Sequence, residues 1–472
     1  MESAPNPSPD ARQSPNTLPY ESYHDEKGYA PYPQPYQAQA SEVVAPRNTA
    51  RRRFRRILLF SFFTWCMFRF FVRDTMSDLR WVYHRHWNAA TSDDWDYTVP
   101  GGISLQECVQ GEEWSPSDGG SSKPRFPFYS ETSFTLPISS ETLFFVSRGQ
   151  RLIGAVDVVT SKEQAQDSAT VRVTVGYHRE EVRDLAKACV LSRNDDENGV
   201  GFFTPVWRSG RSPRGREYEL GYNMTIILPD VSSFSSPLAI KNFETDVQNT
   251  FQHIEDPDHK LFFHSISLTG SNGPVSAKSL TATKANIQTS NGPITGIFNV
   301  TKSLELKSSN SPISVAVGLE SEDADTVPTL EARTSNGPLH ADISLTSASG
   351  TGGSFDITTT TSNSPLRVTF SDSPVDSRLS LKASTSNSPA TVSLHPAYEG
   401  TFTVQTSLFG PTLRRKSDVE DPSGEGRERN VKFGSIGKGP RVLTGEVYWD
   451  EKRKDEGAVS VRTSNSPVVL EI

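Results

Sequence analysis

The chain has 472 residues, of which only 34% are hydrophobic, and it carries a formal net charge of −8. That apolar share is poor for a large globular core, and the abundance of Ser, Thr, Gly and Pro suits an extended β protein. The acidic balance, with the basic residues gathered in one short stretch, argues against a nucleic-acid partner.

Residues 1–50 are rich in Pro, Tyr, Ser and Gln, as in Tyr29-Ala30-Pro31-Tyr32-Pro33-Gln34-Pro35-Tyr36. Such a segment has too little apolar surface to offset its ordering entropy and reads as a disordered tail. Residues 51–74 then carry Arg51-Arg52-Arg53-Phe54-Arg55-Arg56 into an apolar run from Ile57 to Val72, broken only by Arg69. Those 16 positions, as a helix, span about 24 Å against a hydrocarbon core of about 30 Å. Arg69 lies near one end and can snorkel to the head groups. A buried core helix or an interfacial helix would need a partner helix or a polar face, and a cleaved leader would not follow 50 polar residues. One transmembrane helix is the expectation.

Arg47, Arg51, Arg52, Arg53, Arg55 and Arg56 precede that run, whereas only Arg73, Arg80 and Arg85 follow it closely. The positive-inside rule therefore places the N-terminus in the cytosol and the rest in the secretory lumen or outside the cell. Residues 75–130 read as a stalk with a Gly/Ser/Pro-rich linker. From about 131 strands begin, among them Phe134-Thr135-Leu136, Val156-Asp157-Val158-Val159 and Val171-Arg172-Val173-Thr174-Val175. Residues 179–190 interrupt them at helical spacing (Val182, Leu185, Ala186, Cys189). The region 131–260 is expected to form an N-terminal β cap.

Residues 261–472 hold an internal repeat. Ser-Asn, then Gly or Ser, then Pro recurs with its asparagine at Asn272, Asn291, Asn310, Asn336, Asn363, Asn387 and Asn465. Each copy separates two runs of alternating apolar and polar residues, such as Leu330-Glu331-Ala332-Arg333 and Leu339-His340-Ala341-Asp342-Ile343. Alternation marks half-buried strands, and a period of about 20–30 residues marks stacked units. Asn and Gly tolerate positive φ, and Pro donates no ladder bond, so the unit is strand, sharp corner, strand. A meander of hairpins also fits Asn-Gly. Four copies carry Ser where a type I′ turn wants Gly, however, and Pro follows at once, which favours a corner between two sheets of a right-handed parallel β-solenoid. The corner asparagines are expected to stack as a hydrogen-bonded ladder. Leu408-Phe409-Gly410-Pro411 and Gly437-Lys438-Gly439-Pro440 read as degenerate corners filling the gap before Asn465, giving nine levels.

The Thr-Ser-Asn-Gly-Pro pattern, over about 130–472, resembles the bacterial "putative adhesin" β-solenoid domains. It is more similar still to uncharacterised fungal single-pass membrane proteins that join such a domain to an N-terminal anchor. The resemblance implies the fold and an adhesin-like role, and brings no catalytic residues with it. The charged insertion at 414–431 departs from the pattern.

No constellation for catalysis, cofactor binding or metal binding stands out. Cys66 falls in the anchor, and Cys108 and Cys189 allow a disulfide on the lumenal side. The nine histidines are scattered, and the acidic runs at 195–199, 255–258 and 322–325 lack the ligand spacing of a Ca²⁺ loop and read as polar turns. Asn223-Met224-Thr225 and Asn299-Val300-Thr301 are glycosylation acceptors, each expected on the lumenal side. The functional expectation is a membrane-anchored, non-enzymatic β-solenoid protein that binds a cell-wall glycan or another surface protein and lipid through one helix. A polysaccharide-acting β-helix enzyme is the rival; it would need a cluster of carboxylates or basic residues on one sheet, and a sugar-binding sheet would offer exposed aromatics.

Overall fold

A computed structural model describes residues 96–119, 125–206, 215–230, 236–256, 259–323, 326–417, 419–435 and 441–472. The tail expected at 1–50 and the membrane helix expected within 51–74 lie outside the described residues, as does the corner expected at Gly437–Pro440. Among the described residues no helix is long and apolar enough to cross a membrane.

The fold is mainly β. The N-terminal strands are β1 (Ser104–Val109), β2 (Ser115–Ser117), β3 (Phe128–Pro137), β4 (Thr142–Arg148), β5 (Leu152–Ser161), β6 (Ser168–Tyr177), β7 (Lys187–Ser192), β8 (Glu197–Phe203) and β9 (Leu220–Pro229). The middle of the chain supplies β10 (Leu238–Val247), β11 (Thr250–Ile254), β12 (Leu261–Gly270), β13 (Val275–Thr289), β14 (Ile294–Ser308), β15 (Ile313–Ser321), β16 (Thr329–Thr334), β17 (Leu339–Ser347), β18 (Ser354–Thr360) and β19 (Leu366–Asp372). The C-terminal strands are β20 (Arg378–Thr385), β21 (Ala390–Ser393), β22 (Gly400–Gln405), β23 (Thr412–Arg414), β24 (Asn430–Ser435), β25 (Val442–Tyr448), β26 (Gly457–Thr463) and β27 (Val468–Glu471).

All belong to one mixed sheet through which two parallel ladders run. The first ladder orders β8, β4, β10, β12, the second half of β13, the second half of β14, β16, β18, β20, β26 and β22. The second orders β9, β5, β11, the first half of β13, the first half of β14, β15, β17, β19, β21, β27 and β23. A level is one strand of each ladder joined by a corner. β13 and β14 run without a break from the second ladder of one level into the first ladder of the next, with a register shift at the bend.

Alternation explains the burial. In β17, Leu339, Ala341, Ile343 and Leu345 are buried and His340, Asp342 and Thr346 exposed. The inward sets of both ladders merge into one apolar core extending from Trp114 to Ile472. Each level buries a few Val, Ile, Leu or Phe side chains, each worth about 1.5–3 kcal/mol on transfer from water, so cohesion accumulates level by level.

Three expectations need correction. The segment 75–130 is no free stalk in its described part: β1 pairs with β7, β2 with β3, and Trp114 is buried edge-on to Phe202. The helix expected over 179–190 is only α1 (Glu180–Arg183). Lys187–Ser192 is instead a strand, because its Ala188, Cys189 and Leu191 gain antiparallel partners on β8. The parallel ladders also begin well before 261, since β8/β9, β4/β5 and β10/β11 form three levels ahead of the first Asn-Gly-Pro corner.

The ends depart from chain order. At the N-terminal end β8/β9 lies outside β4/β5, and antiparallel strands cover both ladder edges: β7 then β1 on one, β6 then β3 on the other. At the C-terminal end β26/β27 sits between β20/β21 and β22/β23, and β25 then β24 cover the outer edge of β22. Covered edges offer no unpaired row of N–H and C=O groups to a stray strand.

Candidate functional site: the corner ladders and the outer faces

The corners are built from the repeat. Asn272 donates to Asn249 Oδ1, and the series continues Asn291 to Asn272 (2.6 Å), Asn310 to Asn291 (2.7 Å) and Asn336 to Asn310 (2.7 Å). Asn363 bonds to Asn336, Asn387 to Asn363 and Asn465 to Asn387, each at 2.7 Å. All seven predicted asparagines therefore lie in one ladder, with Asn249 as an eighth member that no Pro-containing motif announced. The ladder is exposed to solvent, so a lost amide is replaceable by water.

Positive φ is not the reason for Asn or Gly here. Among the asparagines of the ladder and the residues that follow them, only Asn249 (φ 52°) adopts it. Asn serves because its amide both donates and accepts along the stack. Gly serves because of closeness: a Cβ added to Gly292 would sit 1.8 Å from the Gly273 carbonyl oxygen of the neighbouring level. The serine corners use the same approach for a bond. Ser364 Oγ donates to Asn336 O (2.6 Å), Ser388 to Asn363 O (2.8 Å) and Ser466 to Asn387 O (2.9 Å).

A second ladder, buried under the first, belongs to the residue two positions before the asparagine, which is threonine in five of the seven copies, with Gly270 and Ser308 in the other two. Thr334 Oγ1 donates to Ser311 O and Thr361 Oγ1 to Gly337 O, both at 3.1 Å, and Thr385 Oγ1 to Ser364 O at 3.3 Å. Thr334 also accepts from Gly337 N (3.2 Å), so one hydroxyl serves its own corner and the next. These threonines are almost wholly buried. The sequence showed the recurring Thr, but only burial reveals its role.

The outer face of the first ladder is polar from β12 onward. One row across it reads Ser267, Asn286, Glu305, Glu331, Thr358, Lys382; the next reads Thr269, Gln288, Lys307, Arg333, Thr360, Ser384. Glu305 pairs with Lys307, and Glu331 with Arg333 (2.6 Å). Exposed pairs of this kind add little stability but hold the long side chains in order. Towards the N-terminal end this face is covered: Phe144 and Val146 point outward, yet are buried with Cys189, Leu191 and Phe203 beneath Tyr97, Val99, Ile103 and Cys108. Cys108 and Cys189, opposite each other on β1 and β7, are joined by a disulfide that fastens this cover.

The outer face of the second ladder differs. Near its N-terminal end Asp157 lies between Thr225 and His253 in register, and Asn223 lies beside Ala155. Burial raises the Asp157 carboxyl above its ordinary range, opposed by a bond from the Asn223 side chain. Asn223, the first predicted acceptor, is thus mid-sheet with partners on both strands. The second, Asn299, lies in β14 between Thr281 and Gly318, just before the bend. The acidic turn at 255–258 is structural in its described part, for the buried Asp256 carboxylate accepts Lys260 N and Leu261 N, each at 2.8 Å. No group of three or more His, Cys, Asp or Glu among the described residues is placed to hold a metal ion.

The profile of a domain of unknown function, DUF7330, matches residues 284–419, which is the regular part of the repeat. No curated protein matches the chain. Among solved structures, a "putative cell adhesion protein" from Clostridium sporogenes ATCC 15579 is 10% identical, covering 73% of this chain and 99% of that one, with a TM-score of 0.18. A "putative adhesin" from Bacteroides fragilis NCTC 9343 is 9% identical, covering 72% of this chain and 97% of that one, with a TM-score of 0.26. Nothing about function is drawn from likenesses this distant.

Proposed function

We propose that the chain is a single-pass membrane protein whose β region is a right-handed β-solenoid, closed by an N-terminal β cap, that acts as a non-enzymatic, adhesin-like binding module. In this reading the apolar run at 57–72 is the anchor, as in the fungal membrane proteins that the repeat resembles. The arginine asymmetry leaves the tail in the cytosol and the β region in the lumen or outside. The Cys108–Cys189 disulfide suits that oxidising side. The observation that carries the functional reading is the open polar face of the first ladder. Its hydroxyl, amide and charged groups repeat at the spacing of adjacent strands, about 4.8 Å, on a support bonded along both edges. A rigid, periodic array of donors and acceptors suits a partner that is itself repetitive, such as a cell-wall glycan.

The test is retention of the full-length, detergent-solubilised protein on insoluble cell-wall polysaccharide. Retention without release of soluble sugar is expected. Steady release of oligosaccharide would establish the polysaccharide-acting enzyme instead, and failure to be retained would remove the glycan-binding reading.

A further inference from the structure

We propose that the outer face of the second ladder, near its N-terminal end, holds one pyranose ring of a neutral glycan, with Phe251 as the platform, Asp157 and His253 as polar contacts and Asn223 holding Asp157 in place. The inference rests on the reading of the chain as a binding module and names a site within it.

Phe251 is 46% exposed on the outer face of β11. Ala155 is its partner on β5, and Asn223 lies next to Ala155 on β9. The ring therefore stands beside a shallow floor instead of packing against a large neighbour. An exposed aromatic face is the usual partner for the C–H face of a sugar, with a few convergent polar groups to fix its hydroxyls. Those groups are present. His253 follows Phe251 on the same face of β11, directly across from Asp157. Asp157 is engaged by the Asn223 side chain, while Asn223 Oδ1 is buried and accepts from no group in the protein. That oxygen is closed to a ligand, so Asn223 acts by holding the Asp157 carboxylate, which is the acceptor presented to a sugar hydroxyl, already positioned and partly desolvated. The balance of charge sets the ligand class. The face carries both signs, with Asp157 and Glu255 against Arg172, which lies across Thr225 from Asp157, and Lys278, paired with Glu255 at 3.5 Å, so no excess of one charge selects an ionic sugar.

The experiment is titration of the full-length protein in detergent with laminarihexaose, cellohexaose, chitohexaose and mannohexaose, read by saturation-transfer NMR. At least one hexasaccharide is expected to bind, with affinity falling about tenfold or more in Phe251→Ala and in Asp157→Asn. Asn223→Gln is the second variant for the case in which Phe251→Ala does not fold, and a similar loss is expected there. The proposal is overturned if none of the four binds, if binding survives these substitutions, or if the sugar is cleaved. Retention on insoluble wall polysaccharide separates the two readings. Equal retention of wild type and Phe251→Ala removes this site and leaves the module; no retention of wild type removes the glycan-binding reading on which the site rests.

Discussion

The middle of the stack and its C-terminal end use the same corner but obey different rules of connection. From Asn272 to Asn387 each level follows the previous one in sequence, so a repeat in the chain is a neighbour in space. After β21 that identity fails. The chain first builds the outermost level, β22/β23, makes the β24–β25 hairpin, and only then returns to lay β26/β27 into the gap. Asn465 consequently stacks on Asn387 across 78 residues. Thr406 Oγ1 from the outer level donates to Ser466 O (3.1 Å), and Ser407 N to Ser464 O (3.1 Å), which fixes the order. A regular interior can be wound consecutively, whereas a closed end needs the last-written segment to be locked between earlier ones.

The lock should give the largest effect. Glu399, 2% exposed, accepts Trp449 N (2.6 Å), Asp450 N (2.8 Å) and Arg453 Nε (2.7 Å), so it ties the entrance of β22 to the entrance of β26. Glu399→Ala leaves Arg453 and two N–H groups without their main acceptor and should destabilise by about 3–5 kcal/mol in urea denaturation. The opposite end supplies the comparison. Breaking the Cys108–Cys189 link with Cys108→Ser and Cys189→Ser should cost about 2–4 kcal/mol in the same assay, by freeing the segment that covers Phe144 and Val146. A smaller loss for Glu399→Ala than for the cysteine pair would reverse the comparison.

Within the regular middle, depth decides. Thr361→Val removes a buried hydroxyl and strands the Gly337 carbonyl, an expected loss of about 1–3 kcal/mol. Asn363→Ala removes an exposed rung of the amide ladder, where water takes its place, so about 0.5–1 kcal/mol is expected. Equal denaturation midpoints for these two variants would show that burial does not separate the ladders. The smallest effect belongs to Asp157. Its carboxyl is raised in the folded state, so the folded protein holds that proton more tightly than the unfolded chain. Stability from this group is present at low pH and fades as pH rises through its folded titration range. Asp157→Asn should therefore gain slightly on wild type at pH 7 and not at pH 3, measured by paired thermal melts.

Much of this was legible in the residues. Alternation located the strands, the recurrent corner located the levels, and the persistence of Asn beside a variable Gly or Ser pointed to a side-chain ladder. The reason for Gly was not legible, because positive φ and close approach leave the same mark on a sequence. The role of Thr361 and its equivalents was hidden because a β-branched residue before a turn needs no special explanation. The N-terminal levels escaped notice because their corners, at Gly149 and Asn249, carry no proline. The insertion of β26/β27 could not be read either: a gap of 78 residues with fragments of the motif inside it suggests consecutive winding equally well. The candidate glycan site rests on Phe251, Asp157 and Asn223, which lie far apart in sequence and meet only through the register of β9, β5 and β11.

The order of levels at the C-terminal end is tested most directly by cysteine cross-linking with peptide mapping of the product. In Asn387→Cys/Asn465→Cys the two positions occupy adjacent corners of one ladder, about 4.8 Å apart, and the pair should link rapidly and in high yield. In Asn387→Cys/Leu408→Cys an intervening level separates them, and no link should form. The reverse outcome, linkage of 387 to 408 and none to 465, would mean that the chain is wound in sequence order and that the account of the end is wrong.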